Sequence, residues 1–433
     1  MDTFAAAFQC LDRRFTVYSK NFFIIYAQNK CPDQSASRGQ GGLQMNRNAD
    51  KPVIYLDHAA TSWPKPAAVL EAMHHSMLEE AANPGRGGHR MAVSAGRVLM
   101  RTRMELGRLF GVSNPNDIVF MPNTTAALNQ AIKGLLRSGD HVIATMIEHN
   151  SVRRPLEYMR REHGVQVDYV QADEFGMINP SEIAALCRPN TRMIVCNHSS
   201  NLLGSILPVA DIAEIAKSRG AVLLVDAAQS AGVMDIHVEH LGIDMLAFPG
   251  HKGLLGPQGT GGLYIHPSID LIPLIHGGTG SQSEEADQPS IRPDRYEAGT
   301  PNTVGIAGLG AGVRHVLQEG PAVIGRREWE LTQLLMGRLS SVSGLRLLGP
   351  KLGEPRTGIV SFTVESMDSA KVAFRLDREY GIAVRAGYHC TPLAHRVSNT
   401  TDGGAVRSSV GCDTTEADTE ALANAIVEIV GSV

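Results

Sequence analysis

Short apolar runs recur along the chain between residue 66 and about residue 300, and amphipathic stretches separate most of them. Seven runs carry a β-rich pattern: Ile118–Phe120, His141–Thr145, Val165–Val170, Met193–Asn197, Ala221–Asp226, Met245–Phe248 and Gly262–Ile265. Ala126–Leu136, Val152–His163 and Val209–Arg219 read as helices with one apolar face. The alternation predicts an α/β fold: a seven-stranded, mostly parallel sheet covered on both faces, with ligands bound outside the carboxyl ends of its strands. Residues 301–433 follow a different rhythm, a long helical region and then strands around Gly358–Val364 and Ile382–Arg385. The expected organisation is a large domain over 66–300 and a smaller α+β domain made of 301–433 with 49–65.

The first 48 residues break this pattern. They end in a polar stretch, Asp33 to Asp50, rich in Gly, Ser, Gln and Asn, which is too poor in apolar residues to fold alone. Phe22-Phe23-Ile24-Ile25-Tyr26-Ala27 is too short to span a membrane. The segment reads as a disordered or spurious extension, with Met45 as the natural start and Lys51-Pro52-Val53-Ile54-Tyr55-Leu56-Asp57 as the first folded run. Its scarcity of acids leaves an organelle-targeting peptide as an alternative.

Composition narrows the function classes. A chain of 433 residues with 43% hydrophobic content can bury more than one core. Its net charge of -4 argues against a nucleic-acid surface and against a basic membrane-binding face. Cysteines at 10, 31, 187, 196, 390 and 412 form no CxxC pair, a distribution that fits reduced thiols in the cytoplasm.

Polar residues gather at the predicted strand ends: Asn123-Thr124-Thr125 after the first strand, His149 after the second, Asn201 after the fourth, Asp226 after the fifth and Lys252 after the sixth. The last two are the most informative. A lysine amine can form a Schiff base with the aldehyde of pyridoxal phosphate, and an aspartate can keep the pyridine nitrogen protonated so that the ring withdraws electrons. Thr124 and Thr125 open a helix, where hydroxyls and free amides can meet a phosphate; they also read as ordinary N-cap residues. His149 could stack on the pyridine face, or simply belong to a loop. Asn201 and Gln229 could hydrogen-bond the cofactor's phenolic oxygen, or serve as turn residues. The Gly-rich run Gly253–Gly262 has no closing Lys-Ser/Thr pair, so it is no P-loop.

The motifs Tyr55-Leu56-Asp57-His58-Ala59-Ala60-Thr61, Asn123-Thr124-Thr125-Ala126-Ala127-Leu128-Asn129, Glu148-His149-Asn150, Ser200-Asn201, Val225-Asp226-Ala227-Ala228-Gln229, Gly250-His251-Lys252-Gly253, Glu297-Ala298-Gly299-Thr300-Pro301-Asn302 and Arg385-Ala386-Gly387-Tyr388-His389-Cys390 resemble those of class V aminotransferases. They are most similar to the cysteine desulfurase and selenocysteine lyase branch, and the resemblance runs in order over residues 50–433. It implies fold type I of the pyridoxal-phosphate enzymes, a homodimer with its site near the subunit boundary, and L-cysteine or L-selenocysteine as substrate. It also implies that Lys252, His149 and Cys390 are catalytic, and that Thr124, Thr125, His149, Asn201, Asp226, Gln229, His251 and Lys252 hold the cofactor. Thr300 would reach the phosphate of the neighbouring subunit. Arg407 would hold the substrate carboxylate, with Arg385 and His58 beside the substrate and no metal involved.

Three departures accompany the matches. His58 stands where the family often has Asn, Pro249 where many relatives carry a hydroxyl residue, and Ser409-Val410-Gly411-Cys412-Asp413 where an aromatic and Asn are common. The expected activity is desulfuration of cysteine to alanine, with Cys390 attacking the substrate sulfur and passing its persulfide to an acceptor protein. Arg385 and His389 would favour the Cys390 thiolate. The alternatives are selenocysteine lysis, transamination or β-elimination with Cys390 incidental, and a catalytically silent sulfur-carrier scaffold. For Cys390 itself the other readings are a buried structural thiol or a metal cluster with His389 and His395.

Overall fold

The computed structural model describes residues 53–432 apart from Arg86 and Ser366. The expected extension over residues 1–48 lies outside the described residues. Strands are β1 (Ile54–Tyr55), β2 (Ile118–Met121), β3 (His141–Thr145), β4 (Gln166–Val170), β5 (Thr191–Asn197), β6 (Val222–Asp226), β7 (Met245–Pro249), β8 (Gly261–Ile265), β9 (Leu345–Leu348), β10 (Ile359–Val364), β11 (Ile382–Ala383), β12 (Arg385–Gly387) and β13 (Ala405–Ser409).

Strands β2 to β8 form one seven-stranded sheet in the order β2-β8-β7-β6-β5-β3-β4. Only β8 runs antiparallel to its neighbours, β2 and β7. The runs are continuously apolar because both faces are covered. In β7, Leu246 and Phe248 enter one core with the helices Arg90–Phe110, Val209–Ser218 and Thr303–Glu319, while Met245 and Ala247 enter a second core with the helices Thr124–Leu135 and Asn150–His163. β5 divides in the same way, Ile194 and Cys196 against Met193 and Val195.

The Gly-rich run has a packing explanation. A Cβ on Gly256 would lie 2.8 Å from the Gly250 carbonyl oxygen and 3.0 Å from Leu309 Cα, and one on Gly261 2.7 Å from the Phe248 carbonyl oxygen. Glycine lets this turn and β8 close against β7.

A second, antiparallel sheet has the order β12-β13-β10-β9. Its core draws Phe362 and Val406 together with Leu331 and Leu335 of the helix Pro321–Leu339, Leu376, Ile426 and, from the start of the described chain, Leu56. β1 pairs in parallel with β11, and Asp57 bridges to Ser409. The run Ile382–Arg385 read as one strand divides in two. Ile382 and Ala383 pair with β1, whereas Arg385 to Gly387 pair with β13, so the break at Val384 lets one short segment serve both partners. β13 escapes a reading by hydrophobic pattern, because Arg407, Ser408 and Ser409 sit in it fully buried.

Phe248 is completely buried beneath the loop that carries Lys252 and packs on the Phe110 ring at a centroid distance of 4.9 Å. Phe248→Ala is expected to destabilise the protein by roughly 3–5 kcal/mol through lost burial and a residual cavity. Denaturant unfolding measures the loss; a change below 1 kcal/mol, about one rotamer's adjustment, would mean that β7 is not packed as described.

Candidate active site

The carboxyl ends of β2, β3, β5, β6 and β7 surround a cavity. Thr124, Thr125, His149, Asn201, Asp226, Gln229, His251 and Lys252 all line it. Asn123, singled out in the sequence beside Thr124, lines it too, as do Ser151, Asn197 and Ser199, which were not, although Ser151 follows His149 by only two residues.

Asp226 ends β6, buried to 3% exposure, and accepts a hydrogen bond from the Ala228 amide at 2.9 Å. Burial pushes its pKa up to about 6, while that amide and Lys252 oppose the rise. Lys252 is pushed down to about 8, chiefly by burial and then by the Arg407 charge, with Asp226 opposing. An amine shifted in this direction reaches its neutral, nucleophilic form near physiological pH.

At the other wall Asn123, not either threonine, caps the helix Thr124–Leu135, accepting from the Ala126 amide at 2.9 Å. The threonine hydroxyls are therefore released from capping. Thr125 pairs with the Ser151 hydroxyl at 2.7 Å, and Thr124 Oγ1 is buried with no partner. His149 caps the next helix, Asn150–His163, its Nδ1 accepting from the Ser151 amide at 3.1 Å. That contact fixes the ring against the cavity. Burial, with Lys252 and Arg385 adding to it, lowers its pKa to about 4, so the ring is neutral.

Orphaned polar atoms test whether pyridoxal phosphate fits. Besides Thr124 Oγ1, Asn201 Oδ1 and His251 Nδ1 are buried without partners. Hydroxyl and amide donors at a helix N-terminus suit a phosphate, a buried carboxylate suits a pyridinium, and the Lys252 amine suits an aldehyde. The residues fit the group.

Arg407 is 1% exposed; it donates to Asp57 Oδ1 and to the Asn201 carbonyl, both at 2.9 Å, and its Nε has no partner. Arg385 stands directly opposite it across β12 and β13, so the two residues share one face of the sheet. Cys390 is exposed and adopts a left-handed conformation at φ 59°, directly after His389 at φ 48°. The loop is held by Asn150 N–H donating to the Cys390 carbonyl at 2.8 Å, Asn201 Nδ2 to the His389 carbonyl at 2.7 Å and the Thr391 hydroxyl to the Glu148 carbonyl at 3.1 Å. Two successive non-glycine residues at positive φ are strained, and these bonds hold the strain in place.

His389, His58 and Thr300 lie outside the cofactor cavity. His389 gives Cys390 no positive charge: burial, Arg407 and Arg385 push its pKa down to about 3. His58 lies outside the cofactor cavity, bound to the Tyr55 carbonyl at 3.2 Å and lining a separate space on the far side of Lys252. Thr300 is exposed and lines neither space. Among the described residues no group of three or more His, Cys, Asp or Glu side chains is arranged to hold a metal, and all four cysteines are free.

This combination of sheet, cavity and buried Asp–Lys pair defines a fold-type-I pyridoxal-phosphate enzyme. Residues 54–422 match the model of the aminotransferase class-V family, and the chain belongs to that family. It is 38% identical over 387 residues to a protein of Methanothermobacter thermautotrophicus named "Probable cysteine desulfurase", covering 87% of this chain and 95% of that one. Among solved structures it is similar to the apo cysteine desulfurase of Thermococcus onnurineus, with a TM-score of 0.83 and 33% identity over 88% of this chain and 95% of that one. A cysteine desulfurase of Escherichia coli gives a TM-score of 0.80 at 26% identity, with the same coverage.

The buried imidazoles predict an acid limit. The pKa values of His58, His149, His198 and His251 fall to about 4 and that of His389 to about 3, burial being the first cause for each. Each lies below the unfolded value near 6.5, so the unfolded chain binds more protons in between and stability falls as pH drops from about 6.5 toward 4. The melting temperature of cofactor-free protein should decline steeply over that window, and less steeply in His389→Asn. An unchanged slope in His389→Asn would show that this ring is protonated in the fold.

Proposed function

We propose that this chain is a pyridoxal-phosphate-dependent cysteine desulfurase that converts L-cysteine to L-alanine and carries the released sulfur on Cys390. The observation that carries the reading is a strained, exposed cysteine clamped to the same elements that line the cofactor cavity.

Thr124, Thr125 and His251 would hold the phosphate, Asp226 the pyridine nitrogen, Asn201 and Gln229 the phenolic oxygen, and His149 the ring face. When bound, pyridoxal phosphate supplies an electron-withdrawing ring that stabilises negative charge on the substrate α-carbon. Lys252 takes the α-proton and returns a proton to the product. Arg407, with Arg385 across the strand, holds the substrate carboxylate; the Asp57 contact keeps the buried guanidinium aimed until substrate arrives. The Cys390 thiolate attacks the substrate sulfur, the carbon–sulfur bond breaks with its electron pair moving to carbon, and protonation there yields alanine and a persulfide. An exposed thiol can then meet a sulfur-acceptor protein.

Exposed Leu70, Met77, Leu78, Met91, Met100 and Met104 lie on successive helical segments, an unusual run of open apolar side chains that favours a homodimer. Thr300, exposed as well, would act on the partner's cofactor. No helix of the described residues is long and apolar enough to cross a membrane, and the free thiols favour a cytoplasmic location.

Product analysis with cysteine, selenocysteine and cysteine sulfinate, with Cys390→Ser in parallel, tests the reading. The variant should keep the visible absorption of bound cofactor yet make alanine from cysteine roughly 10²-fold more slowly or worse, whereas Lys252→Ala should lose the band itself. Selenocysteine turnover should survive better in Cys390→Ser, because selenium leaves more easily. Cysteine turnover by Cys390→Ser at the native rate would favour transamination or β-elimination.

A further inference from the structure

On the far side of Lys252 from the cofactor cavity lies a second, narrower space with room for water and little more. Lys252 and Gln229 line both. An outer vestibule near Lys65, His315 and Arg327 meets the narrow space at Ile324, Glu328 and Cys412, which line both. The three residues form a boundary between solvent and the active-site lysine, reached without passing Cys390 or the cofactor cavity.

Glu328 is the unusual member. It lies on the helix Pro321–Leu339 at 8% exposure, and only burial and the Arg327 charge act on its carboxyl; no hydrogen bond does. Gly358 leaves the space it occupies, since a Cβ there would stand 2.7 Å from Glu328 Oε2. An unpaired buried carboxyl facing a water-sized space calls for a water partner. Cys412 matters by its size: a small side chain at the boundary of the two spaces leaves it open.

We propose that Glu328 relays protons between the outer vestibule and Lys252 through water in this passage, with Cys412 as its open gate; the inference rests on Lys252 acting as the proton carrier. A proton leaves the Lys252 ammonium for water, passes to the Glu328 carboxylate and is released to vestibule water; reprotonation runs in reverse. Burial raises the Glu328 pKa to about 8 and lowers that of Lys252 to about 8, which brings the two groups toward each other. The charged and titratable groups around Glu328 are Arg327 on its own helix, His315 and Glu319 on the preceding one, His58 and Lys65 after β1, Cys412 and Asp413 after β13, and Lys252 across the passage.

The test is exchange of the L-alanine α-proton in deuterium oxide by cofactor-loaded protein, followed by NMR, with a crystal structure of the native protein. L-Alanine has no sulfur to lose, so the readout is independent of Cys390. Glu328→Gln, which keeps the shape, and Cys412→Phe, which plugs the gate, should each slow exchange by on the order of tenfold with the visible band retained. Glu328→Asp should recover most of the rate, and ordered water should link Glu328 to Lys252. Unaltered exchange in Glu328→Gln, or a dry passage, overturns the relay. Normal alanine exchange without alanine formation from cysteine would instead sink the desulfurase reading and leave the relay standing.

Discussion

Asp226 and Lys252 are an acid and an amine held at the ends of neighbouring strands β6 and β7, and the rest of the site depends on that pair. Burial disfavours the charge on each, and each supplies the opposite charge that restores part of it. The arrangement holds only if the strands cannot slip. Register fixes Asp226 opposite Ala247, and the two cores on either face of β7 make a one-residue slip exchange their side chains. The sheet is thus the positioning device, and the chemistry sits where its backbone stops.

Around that pair the chain relies on neutral rather than charged imidazoles. His149 is desolvated beside Lys252 and Arg385, and His389 beside Arg407, so protonating either ring would add a cation to a site already holding two guanidiniums and an amine. A neutral His149 can lie flat against an electron-poor ring without repelling its protonated nitrogen. Arg385 and Arg407, opposite each other across β12 and β13, leave the fixed positive charge on guanidiniums and not on imidazoles.

What the sequence disclosed follows the same logic. Strands covered on both faces leave unbroken apolar runs, so β3, β5, β6 and β7 were legible, and Asp226 and Lys252 stood out as polar residues directly after such runs. Arg407 sits in a buried strand and donates to Asp57 and Asn201, partners far away in sequence, so no local pattern marks β13. The division of Ile382–Arg385 between two sheets is likewise a tertiary decision. His58 belongs to a space that exists only after β1 meets β11, and Glu328 reads as one more charge on an ordinary helix until Gly358 and Cys412 come to face it. Cysteine identity was readable in Cys390; its strained backbone and its tether to Asn150 and Asn201 were not.

The central claim is that Cys390 takes sulfur from the substrate. Peptide mass spectrometry of the native, cofactor-loaded protein after a brief exposure to L-cysteine tests it most directly. The account predicts one added sulfur atom on the peptide that contains Cys390, removed by a thiol reductant, while the peptides carrying Cys187, Cys196 and Cys412 stay unmodified. Accumulation of alanine with the Cys390 peptide unmodified throughout would contradict it.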